Sequence, residues 1–155
     1  MNIQRVKQGA RITYWNGIYM ILFGLFYVIF SDYNIRASFR SISESWGFFL
    51  RYSTRIAHLF LFFYALVGIL MISNGIFTVY LSDFIIKRKE KITWVMLFIS
   101  GIIGWGGILI VSILFRNILL IVLSGIGWLT FIIGMVMPIK YYLEKSYREY
   151  WMIIL

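Results

Sequence analysis

The sequence predicts an all-α integral membrane protein: a four-transmembrane-helix bundle with a short amphipathic interfacial helix between spans 1 and 2. Three observations predict it. Of 155 residues, 61% are hydrophobic and only 14% charged, with a mean hydropathy of +0.85. Soluble domains do not reach that balance, and one this small could not bury so much apolar surface. Second, four nearly uncharged runs, 12–31, 56–84, 92–115 and 117–139, each supply the ~20 residues needed to cross a ~30 Å hydrocarbon core. Third, the net charge of +9 is confined to short clusters between those runs. Basic residues in such places set orientation and meet anionic lipid headgroups, so nucleic acid is not an expected partner. By length the chain is a single membrane domain.

Residues 1–11 form a basic leader with Arg5, Lys7 and Arg11. The run that follows is too long for the h-region of a cleavable signal, so it is read as a retained span. Tyr14, Trp15 and Asn16 stand near its start, where amphipathic rings suit the membrane–water boundary. Between spans 1 and 2, Ile35, Phe39, Ile42, Trp46 and Phe49 recur every three or four residues, which predicts a helix over about 34–50. Arg36, Arg40, Glu44 and Arg51 fall off that stripe, Arg40 can pair with Glu44 one turn on, and Ser38 falls on the water side. A helix packed across the mouths of the spans is favoured over one with its stripe in lipid. Trp46, Arg40 and His58 are expected at the interface.

The second run exceeds the bilayer thickness and must tilt or project. A basic turn at 87–91 follows it. The third and fourth runs are separated only by Arg116, so they must form a tight antiparallel hairpin. Each carries a similar phrase, Ser100-Gly101-Ile102-Ile103-Gly104-Trp105 and Ser124-Gly125-Ile126-Gly127-Trp128. The two indoles lie equally far from the turn, ~16 Å below it by helical rise and near the midplane. Beyond Pro138 the tyrosine-rich basic tail, 140–155, suits a helix along the membrane surface. Asn16-Gly17-Ile18-Tyr19 resembles Asn74-Gly75-Ile76-Phe77, but on oppositely directed spans. A duplicated hairpin would match span 1 with span 3, so this resemblance is read as chance.

Two constellations are candidates for a site. Ser100, Gly101, Gly104 and Gly107 on span 3, with Ser124, Gly127 and Gly134 on span 4, are small residues that let helix backbones approach. Asn74, Trp105 and Trp128 come to similar depth and form an expected midplane polar cluster, because buried amides and indoles need hydrogen-bond partners. No catalytic, metal or cofactor-binding set is expected. The chain has no cysteine and one histidine, too few ligands for a metal or haem, and no charge lies deep in a span to relay protons or couple ions.

The leading functional expectation is therefore a non-catalytic assembly or structural subunit, associating with other membrane subunits or with itself. Two others stand beside it: a channel or transporter for a small neutral or anionic solute, formed by oligomerisation, and an accessory subunit of a membrane enzyme or redox complex. Ten basic residues fall on the side holding both termini and five on the other, which places both termini in the cytoplasm, with the plasma membrane as the expected location. Single cysteines at Lys89 and Arg116 are expected to react from opposite sides of a sealed vesicle, Lys89 from the cytoplasmic side; labelling from one side would remove the four-span topology.

Overall fold

In the computed structural model, which describes residues 3–42, 47, 51 and 53–143, five helices follow one another without strands among the described residues. They are α1 (Ile3–Ile29), α2 (Ser31–Ile42), α3 (Thr54–Arg88), α4 (Lys91–Leu114) and α5 (Ile118–Val136). All but α2 are long and apolar enough to cross a membrane. The start of α1, the Lys89 turn and Pro138 share one end, here the terminal face; α2 and the Arg116 turn share the other, the α2 face. Lys89 and Arg116 each take the left-handed conformation, with φ of 53° and 49°, which closes the two short turns.

The helix expected from residue 12 begins at Ile3, so the basic leader is part of α1. Asn16 is consequently about 20 Å along the helix rather than at its mouth. At the other end α1 runs almost directly into α2, with Phe30 N–H donating to Phe26 and Asn34 N–H to Phe30. The short helix between spans 1 and 2 thus occupies 31–42, and its buried face is more polar than the apolar stripe foretold. Ile35 packs on Ala57, with Phe39 beside it. Asn34 and Ser38 are buried as well, so Ser38 is not on the water side. Arg36 pairs with Asp32 at 2.9 Å, and Arg40 and His58 are exposed. Trp46, Glu44 and the tail beyond 143 lie outside the described residues. Residues 139–143 turn back so that Tyr142 stacks on Trp94 at 5.3 Å; burial pushes its hydroxyl up to about 12.

The most extensive contact, and the one with paired glycines, is between α1 and α3, not within the α4–α5 hairpin. A Cβ on Gly24 would lie 2.7 Å from the Gly68 carbonyl oxygen, and one on Gly75 would lie 2.9 Å from that of Gly17. Gly17 and Gly24 are seven apart, as are Gly68 and Gly75, so two glycine pairs recur after two turns on one seam. The same register sets Ala10 opposite Ser82, both buried. The sequence around these glycines is repeated. Residues 17–28, GIYMILFGLFYV, match 68–79, GILMISNGIFTV, at seven of twelve positions, and Ser31-Asp32 recurs as Ser82-Asp83. This repeat aligns Gly17 with Gly68; the likeness of Asn16-Gly17 to Asn74-Gly75 is in another register and plays no part in it. The two copies run antiparallel and pack on one another.

In the hairpin, glycines seat rings instead of backbones. A side chain on Gly101 would strike the Phe131 ring, and one on Gly127 the Trp105 ring. Gly134 does approach a backbone, but that of Gly9 on α1. Pro138 carries no N–H, which leaves the Gly134 carbonyl free to face Gly9. Ser124 is buried and donates to the Leu120 carbonyl at 2.6 Å. Gly107 has nothing within 4 Å of a would-be Cβ. Gly24→Ala and Gly68→Ala are accordingly expected to cost about 1–3 kcal/mol each by overpacking, and Gly107→Ala close to nothing, in thermal unfolding in detergent. Equal tolerance at all three positions would refute the glycine seam.

Candidate functional site

The polar groups of the spans sort into two clusters. At the first, Asn16 joins three helices. Its Nδ2 donates to the Gly127 carbonyl at 2.7 Å and to Thr130 Oγ1 at 2.8 Å, while its Oδ1 accepts from Trp105 Nε1 at 2.9 Å. The Trp105 ring stacks on Tyr19 and Phe23, with centroids at 5.6 and 5.9 Å. Tyr19 adds a hydrogen bond to the Leu123 carbonyl at 2.9 Å. All donors and acceptors are neutral, and the amide is saturated.

The expected cluster of Asn74, Trp105 and Trp128 is not assembled. Asn74 accepts instead from Ser100 Oγ at 2.7 Å, with its amide nitrogen against Gly104. Trp128 is half-buried and makes no hydrogen bond among the described residues. The two indoles have different neighbours, Trp105 lying against Gly127 and Trp128 nearest Gly106. Only Trp105 finds an amide, and the amide is Asn16, which counting the span from residue 12 had left at the boundary. The signal that would have found it is Gly9, Thr13, Asn16 and Met20, a small or polar stripe at helical spacing that continues the leader into the span.

The second cluster belongs to a groove of about 620 Å³ between α3 and α4, in the half of the structure nearer the α2 face. Its floor is buried: Met20 and Tyr27 of α1, Met71 of α3, Ser112 of α4 and Leu120 of α5. Its lips are not. Phe63, Leu70, Ile103 and Val111 are 47–69% exposed, so the groove opens sideways, past the helices. Gly107 has no side chain to fill it, and Asn74 and Gly104 close its deep end.

At the shallow end the groove meets neutral polar groups. Tyr64 Oη donates to Ser38 Oγ at 2.8 Å, and Asn117 Nδ2 donates to the same oxygen at 3.5 Å. Asn117 also caps α5, accepting from Leu120 N–H at 3.3 Å. The Tyr27 and Tyr64 rings stack at 6.0 Å, and Ser112 faces the Tyr27 hydroxyl. One turn from Ser38, the buried Asn34 amide finds no partner among the described residues. Among the described residues no carboxylate, lysine, arginine or histidine lines the groove, and no group of three or more metal-ligating side chains occurs. The groove thus offers an apolar wall and neutral hydrogen-bonding groups among the described residues.

No known protein family, curated protein or solved structure matches the chain. The two amides can be ranked on their geometry alone. Asn16→Leu removes three hydrogen bonds and leaves the Trp105 indole unpaired, and is expected to lower stability by about 1–2 kcal/mol, and Asn74→Leu, which releases only Ser100, by about 0.6. Chemical or thermal unfolding of the two variants in detergent measures the order, and a larger loss at Asn74 would contradict it.

Proposed function

We propose that the protein is a non-catalytic integral membrane protein that binds a neutral lipophilic molecule, one long apolar chain with a hydroxyl or carbonyl end group, in the groove between α3 and α4. The lining carries this reading: apolar throughout, uncharged, and provided with Tyr27, Tyr64 and Ser38 at one end to meet a polar head. Its volume falls in the range of small-molecule sites, and its exposed lips give a ligand a path in from the acyl-chain layer. In this reading the four long helices span the bilayer as a bundle, and α2 packs at the interface across the mouth of the groove. The terminal face, with Arg5, Lys7, the basic turn at 87–91 and Lys140 among the described residues, is cytoplasmic and meets anionic headgroups.

Assembly as a subunit of a larger complex, or with itself, is the weaker proposal. It drew on a surplus of small-residue faces in spans 3 and 4. Gly101, Gly127 and Gly134 are occupied within the chain by Phe131, Trp105 and Gly9, and Gly107 opens on the groove, so that only Gly106 and Gly125 keep clear positions for a partner.

A long-chain alcohol carrying a photoreactive diazirine tests the binding proposal in detergent or vesicles. Crosslinks are expected to concentrate in 60–74 and 103–115 and to be lost in Gly107→Phe, which fills the groove and leaves the melting temperature unchanged. Labelling spread evenly over all four spans, or unaltered in Gly107→Phe, would overturn it.

A further inference from the structure

The repeat gives the groove a counterpart. Antiparallel packing of 17–28 on 68–79 relates α1 and α3 by a local two-fold axis in the plane of the membrane. The contacts obey it in detail. A Cβ on Gly24 would lie 2.8 Å from Ile72 Cγ1, and one on Gly75 would lie 2.7 Å from Ile21 Cγ1; Gly68 meets Val28 Cγ2 at 2.7 Å and Gly17 meets Val79 Cγ2 at 2.8 Å. Each contact becomes the other when fifty-one is added or subtracted. Met20 and Met71, which share the groove floor, are such a pair. The ion pairs at the two ends agree as well: Arg36 on Asp32 at 2.9 Å, and Lys87 on Asp83 at 2.6 Å.

Applied to the groove, the same operation takes Phe60, Tyr64, Val67, Leu70 and Asn74 of α3 to Gly9, Thr13, Asn16, Tyr19 and Phe23 of α1. That face of α1 is closed. Gly9 meets Gly134 and Pro138, Thr13 meets Met135 and Gly134, Asn16 binds Gly127 and Thr130, and Tyr19 binds Leu123. One surface of the repeat is therefore open toward the α2 face, and its equivalent is sealed by α5 toward the terminal face.

The hairpin phrases extend the relation, pairing Gly104-Trp105 with Gly127-Trp128. Trp105 lies over Gly127 and plugs the sealed side; Gly104 carries the Asn74 amide in place of a ring and faces the groove, while Trp128 stands half-buried with its indole nitrogen nearest Gly106 and makes no hydrogen bond among the described residues. On the sealed side, the buried hydroxyls of Thr78 and Ser82 lack partners among the described residues. Thr78 is the counterpart of Tyr27, which lines the groove.

We infer that the groove is one of two alternating clefts. When the Asn74 amide leaves Gly104 and Trp128 swings over it, the groove closes, and when Trp105 leaves Gly127 it opens the sealed side, where Thr78 and Ser82 gain partners. The binding site then faces one leaflet or the other, which makes the protein a carrier that moves a neutral lipophilic molecule across the bilayer. Inverted repeats around a midplane site are the usual framework for such exchange. The inference rests on the reading of the groove as a binding site.

The chain has no cysteine, so paired spin labels need no background removal. Phe63 and Val111 report the width of the groove, and Gln8 and Met137 that of the sealed side. In nanodiscs without added ligand, two distances are expected for each pair, the groove pair shortening in the population where the other lengthens. Trp128→Ala, which removes the plug from a half-exposed position, is expected to abolish the groove-closed population while the protein keeps its melting temperature. In vesicles, a long-chain alcohol with a nitrobenzoxadiazole tag should reach the outer leaflet, and so be bleached by dithionite, faster with the protein than without it. Trp128→Ala and Gly107→Phe should lose that acceleration. Single, fixed distances would overturn the alternation even where the diazirine probe labels the groove, and exchange of distances without lipid movement would overturn the transport. Failure of groove labelling itself would instead remove the binding reading.

Discussion

The arrangement depends on one constraint, the backbone contact between α1 and α3. Lipid tails are as apolar as leucine, so helices in a membrane gain nothing from hiding apolar side chains; they associate through close packing and hydrogen bonds. Two glycine pairs seven residues apart put carbonyl oxygens of one helix against the backbone of the other, where dispersion and weak Cα–H contacts act together. A Cβ at any of the four positions would force the helices apart. Once that seam is closed, α1 and α3 each have one further inward face to satisfy. That of α1 is taken by α5 and the Trp105 ring. That of α3 meets α4 only loosely, and the groove is the space left over.

The polar interior follows a second rule, that it is neutral throughout. Amide, hydroxyl and indole groups can be satisfied by one another and by backbone carbonyls without the cost that a buried charge carries in hydrocarbon. Asn16 shows the satisfied case, with both ends of its amide engaged. The buried face of α2 shows the other, where Asn34 finds no partner among the described residues, one turn from Ser38 and its bonds to Tyr64 and Asn117. A buried amide without partners is expensive.

Length and composition were enough to read four helices and a short one between the first two, because ~20 apolar residues admit few other uses. The boundary of α1 was not legible in the same way. Arg5, Lys7 and Arg11 marked the leader as outside the span, yet charges at a helix end do not stop the helix, and the nine added residues moved Asn16 from the interface to the interior. The glycines of spans 3 and 4 were legible as small, not as seats for rings, since spacing alone does not distinguish a backbone neighbour from Phe131 or Trp105. The seam itself was visible in principle. Gly17, Gly24, Gly68 and Gly75 share a seven-residue spacing, but the likeness of two Asn-Gly pairs drew the comparison into the wrong alignment. Aligned glycine to glycine, the inverted repeat and the pairing partner come out together.

The repeat is imperfect where imperfection has consequences. Asn16 corresponds to Val67, and Phe23 to Asn74. The sealed side therefore has an amide placed to take the Trp105 indole, and the groove side does not; Asn74 sits two turns further along and is held by Ser100. A hydrogen bond between membrane helices contributes about 0.6 kcal/mol on average, enough to shift a two-state balance by about threefold. The symmetric seam makes two arrangements of comparable packing available, and the asymmetric amides favour the one in which the terminal side is sealed and the groove is open. A valine at position 67 also leaves the groove wall apolar where its twin is polar. The departure from symmetry that biases the two arrangements thus also leaves an uncharged, chain-lined cavity facing the lipid.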